Sequence, residues 1–132
     1  MGETLDTVTG SGTLNDISGV LDRIWLAHSH VPHAVRLQIG IAVHEIGSNI
    51  VKHASRGRSV RLRMAVDVRR DEVEVTFTDD GPPVAVDLGA VSMPHEMAEG
   101  GRGLALAQAT LGRLNYGRDM VNRWTLISKR FT

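Results

Sequence analysis

The sequence contains no cysteine. Disulfides, thiolate zinc sites and a cysteine nucleophile are therefore excluded. No apolar run approaches membrane-spanning length, and the N-terminus lacks the basic-then-apolar pattern of a secretory signal. Myristoylation through Met1-Gly2 is excluded as well, because residue 6 is Asp where that motif requires Ser or Thr. Neither sign of charge is in excess. Fifteen basic and 15 acidic residues give a net charge of zero, so bulk attraction to nucleic acid has no basis. Lysine is scarce: among the 15 basic residues only Lys52 and Lys129 are lysine. These absences leave a cytoplasmic protein with no membrane or direct nucleic-acid partner as the expectation. What is present, 132 residues of which 42% are hydrophobic and 23% charged, suffices for one compact domain with a sizeable core.

Along the chain, residues 1–13 are rich in Gly, Thr and Ser and show little apolar periodicity, which predicts a flexible N-terminal segment ahead of a domain over residues 14–132. Ile17, Val20, Leu21, Ile24 and Trp25 recur at helical spacing and predict a helix over 16–29, capped by Asn15 or Asp16. A second helix is expected from Pro32 to Ala54, burying Val35, Ile39, Ala42, Val43, Ile46 and Ile50. Its polar stripe runs through Gln38, Glu45, Asn49 and His53. Residues 59–68 alternate apolar and polar, as do 73–77, and Arg69-Arg70-Asp71 joins them into a hairpin. Residues 80–99 carry Gly and three prolines and read as a long loop. Leu104 to Leu114 reads as a helix, and Arg123 to Arg130 as a final strand on β-propensity more than on period. An antiparallel or mixed sheet with one apolar face, and enough helix to cover it, makes an α/β two-layer sandwich.

Three segments carry chemistry. Glu45, Asn49 and His53 stand at i, i+4 and i+8, along one helix face. An acid, an amide oxygen and an imidazole in a row suit magnesium, water and phosphate chemistry; the plain alternative is a solvated polar stripe. Asn49 offers the hard oxygen that Mg²⁺ prefers. His53 reads equally well as a helix-end histidine interacting with the dipole. Asp79-Asp80-Gly81 ends a strand whose inward residues are apolar. A carboxylate there can accept an exocyclic amine while Gly81 permits close approach to the backbone; the alternative is an ordinary Asp-Gly turn before Pro82-Pro83. Gly100-Gly101-Arg102-Gly103-Leu104 opens a helix, and backbone N–H groups at a helix start form an anion site. The glycines match neither a Rossmann fingerprint nor a P-loop. His28, His30, His33 and His44 fit no zinc spacing. Arg56, Arg58, Arg61 and Arg63 read most simply as a solvated face.

The order of these segments resembles the asparagine box and the two glycine boxes of the Bergerat-type ATPases, which include histidine kinases and gyrase. Within that superfamily the chain resembles the anti-sigma factor serine kinases of the RsbW and SpoIIAB type, over residues 14–130. The resemblance implies the Bergerat-type fold, a sheet covered on one face by helices, with ATP and Mg²⁺ as cofactors. It implies Asn49 as metal ligand and Glu45 as general base. It also implies nucleotide contacts from Asn49, His53, Asp79, Gly81, Gly101, Arg102, Gly103 and Leu104, and an ATP lid over 84–99. The partners implied are a STAS-domain anti-anti-sigma protein, whose serine is the phosphoacceptor, and a sigma factor; a homodimer is compatible with it. Glu99 stands where some relatives carry a basic residue facing the phosphates. That departure keeps a second reading open, an ATP-binding partner switch with little or no transfer. A histidine kinase catalytic fragment is a third; the short lid and the lack of a preceding phosphoacceptor helix count against it.

Overall fold

The computed structural model describes residues 2–54, 59–82 and 101–131, with the side chains of all but 53, 54 and 101–104 among them. Strand β1 (Gly2–Val8) leads into helices α1 (Thr13–Ala27) and α2 (His33–Asn49). The β2 (Arg61–Val68) and β3 (Val73–Asp79) hairpin follows, then α3 (Gly101–Thr110) and the β4 (Arg113–Arg118) and β5 (Asn122–Ile127) hairpin. The five strands form one sheet in the order β1-β2-β3-β5-β4, every neighbouring pair antiparallel. The α/β two-layer arrangement expected from the sequence is what is found, with a purely antiparallel sheet among the described residues.

Alternation decides which face is covered. Leu62, Met64, Val66 and Val68 of β2, Val73, Val75 and Phe77 of β3, and Trp124 and Leu126 of β5 are all buried. Against them lie Ile17, Val20, Leu21 and Ile24 of α1 and Val35, Ile39, Ala42, Val43 and Ile46 of α2. Burying side chains of this size contributes about 1.5–3 kcal/mol each, so this single apolar layer holds the domain together. Gly47 lets α1 and α2 close on the sheet. A Cβ there would lie 3.1 Å from Ile17 Cδ1 and 3.9 Å from Phe77 Cζ. The opposite face carries Arg61, Arg63, Thr76, Thr78, Arg123 and Thr125 and no described helix.

Four expectations are corrected. Residues 2–8, expected to be flexible, form edge strand β1, in register with β2 from Gly2↔Asp67 to Val8↔Arg61. Leu5 is its only inward apolar side chain packed on the core, so the strand owes its order to the neighbouring ladder more than to its own pattern. Helix α1 begins at Thr13 with Gly12 as N-cap and no side-chain cap from Asn15 or Asp16. The entry is closed instead by Thr13, whose N–H donates to Gly10 O while its Oγ1 accepts from Gly10 N–H. Leu111 to Leu114 is not helical. Gly112 N–H donates to Ile127 O at 2.8 Å, and this turns the chain into β4, which sequence reading missed. The last strand ends at Ile127, one residue before Ser128. Ser128 is buried because its Oγ accepts from Val73 N–H at 2.9 Å and its own N–H donates to Val73 O. That pairing explains the polar residue that interrupts the apolar series.

Candidate functional site

Asp79 is the last residue of β3 and follows Val73, Val75 and Phe77 onto the covered face, where it is 2% exposed. Its Oδ1 accepts from Gly81 N–H at 2.9 Å and from Asn122 Nδ2 at 2.9 Å. Its Oδ2 is buried with no hydrogen-bond partner. An unsatisfied buried polar atom costs about 1–3 kcal/mol, and more when it is charged. A fold that keeps one open has an acceptor free for a donor from outside the chain. Asp80 is different. It is exposed, its Oδ1 accepts from Arg61 N–H at 2.8 Å, and its N–H donates to Arg61 O, so it serves to extend the ladder between β2 and β3.

Asn122 faces Asp79 across the β3–β5 ladder and is fully buried. Its Nδ2 donates to Asp79 Oδ1, Gly81 O and Pro82 O, and its Oδ1 accepts from Tyr116 Oη and Arg118 Nη1. Arg118 Nη1 also donates to Gly81 O at 3.0 Å. One amide thus fixes both the carboxylate and the backbone that follows it. Sequence reading did not single out Asn122, Tyr116 or Arg118. The available signal was that Asn122 shares the inward phase of Trp124 and Leu126, a polar residue at a core position.

Glu45 and Asn49 are partly exposed on the C-terminal half of α2. Neither side chain is hydrogen-bonded to another described residue. Gly47 lies between them, above the tip of Phe77, which is two residues before Asp79 on β3. This stretch of α2 therefore lies over the Phe77 row of the sheet, next to the Asp79 row. Immediately after Asn49 the helix widens into a π-turn over Ile50–Ala54, a feature frequent at functional sites. His53 lies in that turn, and its side chain is outside the described residues. Helix α3 packs on α2 and is described from Gly101, so Gly101, Arg102, Gly103 and Leu104 form its first described turn. The side chains of Arg102 and Leu104, and the whole lid segment 84–99 with Glu99, lie outside the described residues.

Among the described residues no group of three or more His, Asp or Glu could hold a metal by itself. A Mg²⁺ ion bound through Asn49 would depend on phosphate oxygens and water for most of its shell. A hollow of about 450 Å³ opens at the same end of the sheet, lined by outward residues such as Arg61, Arg63 and Thr78 and also by Leu62, Asp79 and Asp80. The structure thus brings Gly81 to the buried acceptor Asp79 and lays the Glu45–Asn49 stretch of α2 over the neighbouring Phe77 row of the sheet. Of the four histidines, His30 donates through Nε2–H to Arg69 O, a hairpin contact. Arg61 and Arg63 are exposed; Arg56 and Arg58 are outside the described residues.

No curated protein matches the chain. A solved structure, the histidine kinase domain of the blue-light activated histidine kinase EL346 from Erythrobacter litoralis, is similar at 26% identity and a TM-score of 0.53. The match covers 85% of this chain and 60% of that one. The model of the histidine kinase-like ATPase domain matches residues 13–129, which is all of the fold except β1 and the last few residues. The chain belongs to the histidine kinase-like ATPase domain family.

Proposed function

We propose that this domain binds ATP with Mg²⁺ and transfers the γ-phosphoryl group to a protein serine, acting as an anti-sigma factor kinase. The observation that carries the nucleotide reading is the open Oδ2 of Asp79, a buried acceptor suited to the exocyclic amine of adenine. Gly81, buried beside it, lets the base approach the backbone. The first turn of α3, Gly101 to Leu104, offers N–H groups to the phosphates. Asn49 would hold the metal, which when bound neutralises charge on the phosphates. Glu45, one helical turn before Asn49, would accept the proton of the incoming hydroxyl. The serine of a STAS-domain partner as acceptor and the capture of a sigma factor rest on the resemblance of the sequence to the anti-sigma kinases.

A second reading has a specific observation behind it. The similar solved structure is a histidine kinase domain, and this chain spans 60% of its length. On that reading the acceptor is a histidine. The two are separated by incubating the protein and a candidate STAS partner with labelled ATP and treating the product with acid. Acid-stable label on serine supports the proposal. Acid-labile label on histidine supports the second reading. Saturable ATP binding with no transfer leaves the partner switch, and no ATP binding at all overturns the nucleotide reading itself.

A further inference from the structure

Two buried side-chain atoms among the described residues have no hydrogen-bond partner, and they are of opposite kind. One is the acceptor Asp79 Oδ2; the other is the donor Trp124 Nε1. Trp124 is 2% exposed and lies on the same covered face, one row below Asp79. Asp79 pairs with Asn122 and Phe77 pairs with Trp124, so the two rows are separated by roughly 7 Å along the strands. The indole is held in place by Tyr116, whose ring centroid is 4.7 Å away, and Tyr116 is itself tied through its hydroxyl to Asn122. A tryptophan N–H buried in a core ordinarily finds an acceptor, and leaving it without one costs as the open carboxylate oxygen does.

We propose that the indole N–H of Trp124 is the second half of base recognition in this domain and donates to the ring nitrogen N1 of adenine. The inference rests on the reading of Asp79 as the acceptor for the adenine amine. Adenine presents a donor, its amine, next to an acceptor, N1. Asp79 Oδ2 and Trp124 Nε1–H present the complementary acceptor and donor. Guanine and hypoxanthine present the reverse order, a carbonyl oxygen next to an N–H. Each would set like against like at both positions. The pair therefore selects adenine by hydrogen-bond sense, independently of any steric rejection of the guanine 2-amino group.

The test uses three nucleotides on the whole chain. In 1-deaza-ATP a C–H replaces N1 and the amine is kept; in purine riboside triphosphate the amine is removed and N1 is kept; ITP reverses the edge without a 2-amino group. The wild type is expected to bind 1-deaza-ATP and ITP roughly fivefold or more weakly than ATP. Trp124→Phe, which keeps an aromatic ring and removes the N–H, is expected to bind ATP and 1-deaza-ATP alike. The Trp124 indole N–H resonance is expected to shift on adding ATP and to shift much less with 1-deaza-ATP. That measurement, like the nucleotide comparison, needs only the wild type and decides the matter if the variant does not fold. Equal binding of ATP and 1-deaza-ATP by the wild type, or undiminished discrimination in Trp124→Phe, overturns the role of Trp124. Equal binding of ATP and purine riboside triphosphate would instead overturn the Asp79 reading on which it rests.

Discussion

Replacing Asp79 by asparagine removes the charge and changes little in shape, and the surrounding hydrogen bonds dictate how the amide must sit. Oδ1 receives two donors, Gly81 N–H and Asn122 Nδ2, both at 2.9 Å. In Asp79→Asn only the amide oxygen can occupy that position, so the NH₂ group falls where Oδ2 was. A donor then faces the adenine amine, which is also a donor. The variant loses a charge-assisted hydrogen bond of about 1.5–3 kcal/mol, which corresponds to roughly 10- to 150-fold weaker ATP binding. The empty variant should not suffer, because the substitution removes a buried carboxylate oxygen that has no partner. Calorimetric titration with ATP measures the first effect and thermal unfolding without nucleotide the second. ATP affinity within about twofold of wild type would refute the reasoning, since a twofold change is far below the cost of an unmade charged hydrogen bond. A clear loss of thermal stability in the empty variant would show that Oδ2 is engaged in the fold.

Asn49→Ala should weaken ATP binding in the presence of Mg²⁺ and leave the metal-free affinity nearly unchanged; a fluorescent ATP analogue titrated with and without Mg²⁺ reads the difference. Glu45→Gln should keep ATP affinity and lower the rate of phosphotransfer to the partner by about 10²–10⁴-fold, measured in single turnover; a wild-type rate would make Glu45 a structural residue. Gly112→Ala places a Cβ 2.8 Å from Ser128 O and 3.1 Å from Ser128 C, backbone atoms that cannot yield, so a loss of about 1–3 kcal/mol and a lower melting temperature are expected. Asn122→Ala strips donors from Asp79, Gly81 and Pro82 and an acceptor from Tyr116 and Arg118. Both thermal stability and ATP affinity should fall together, in contrast to Asp79→Asn.

The sequence was legible where one physical rule acted alone. The β2–β3 hairpin alternates strictly, and both strands are found where the alternation puts them, within two residues. The buried positions of α2 follow the helical period from Val35 to Ile46, and Ile50, the first residue of the π-turn, continues it. What escaped was structure owed to distant partners. Strand β1 offers one apolar side chain to the core, and its order comes from pairing with a strand more than fifty residues away. Strand β4 begins after a glycine whose environment is the backbone of Ser128, a contact no local window contains. The same cause hid Asn122. Its importance lies in five hydrogen bonds to groups that come together only when β3, β4 and β5 are paired. The π-turn after Asn49 has no signature in composition either, since its residues are those of an ordinary helix end.

The pleat of β3 has a consequence for how this site can change over time. The residues at 73, 75, 77 and 79 all point inward, so the rhythm that fills the core also carries the carboxylate inside. A single-residue insertion or deletion within the strand would flip that phase. The core would be ruined, and after a deletion the neighbouring acid, Asp80, would swing in where Asp79 had been. The doubled aspartate does not therefore act as a spare. After such a slip the glycine two places on, which donates its N–H to Asp79 Oδ1 in the native register, would be replaced by Pro82, which has no N–H to give. Drift in the length of this strand is thus penalised twice, by lost packing and by loss of the donor that orients the acid. Substitution, not insertion, is the route by which such a pocket can vary.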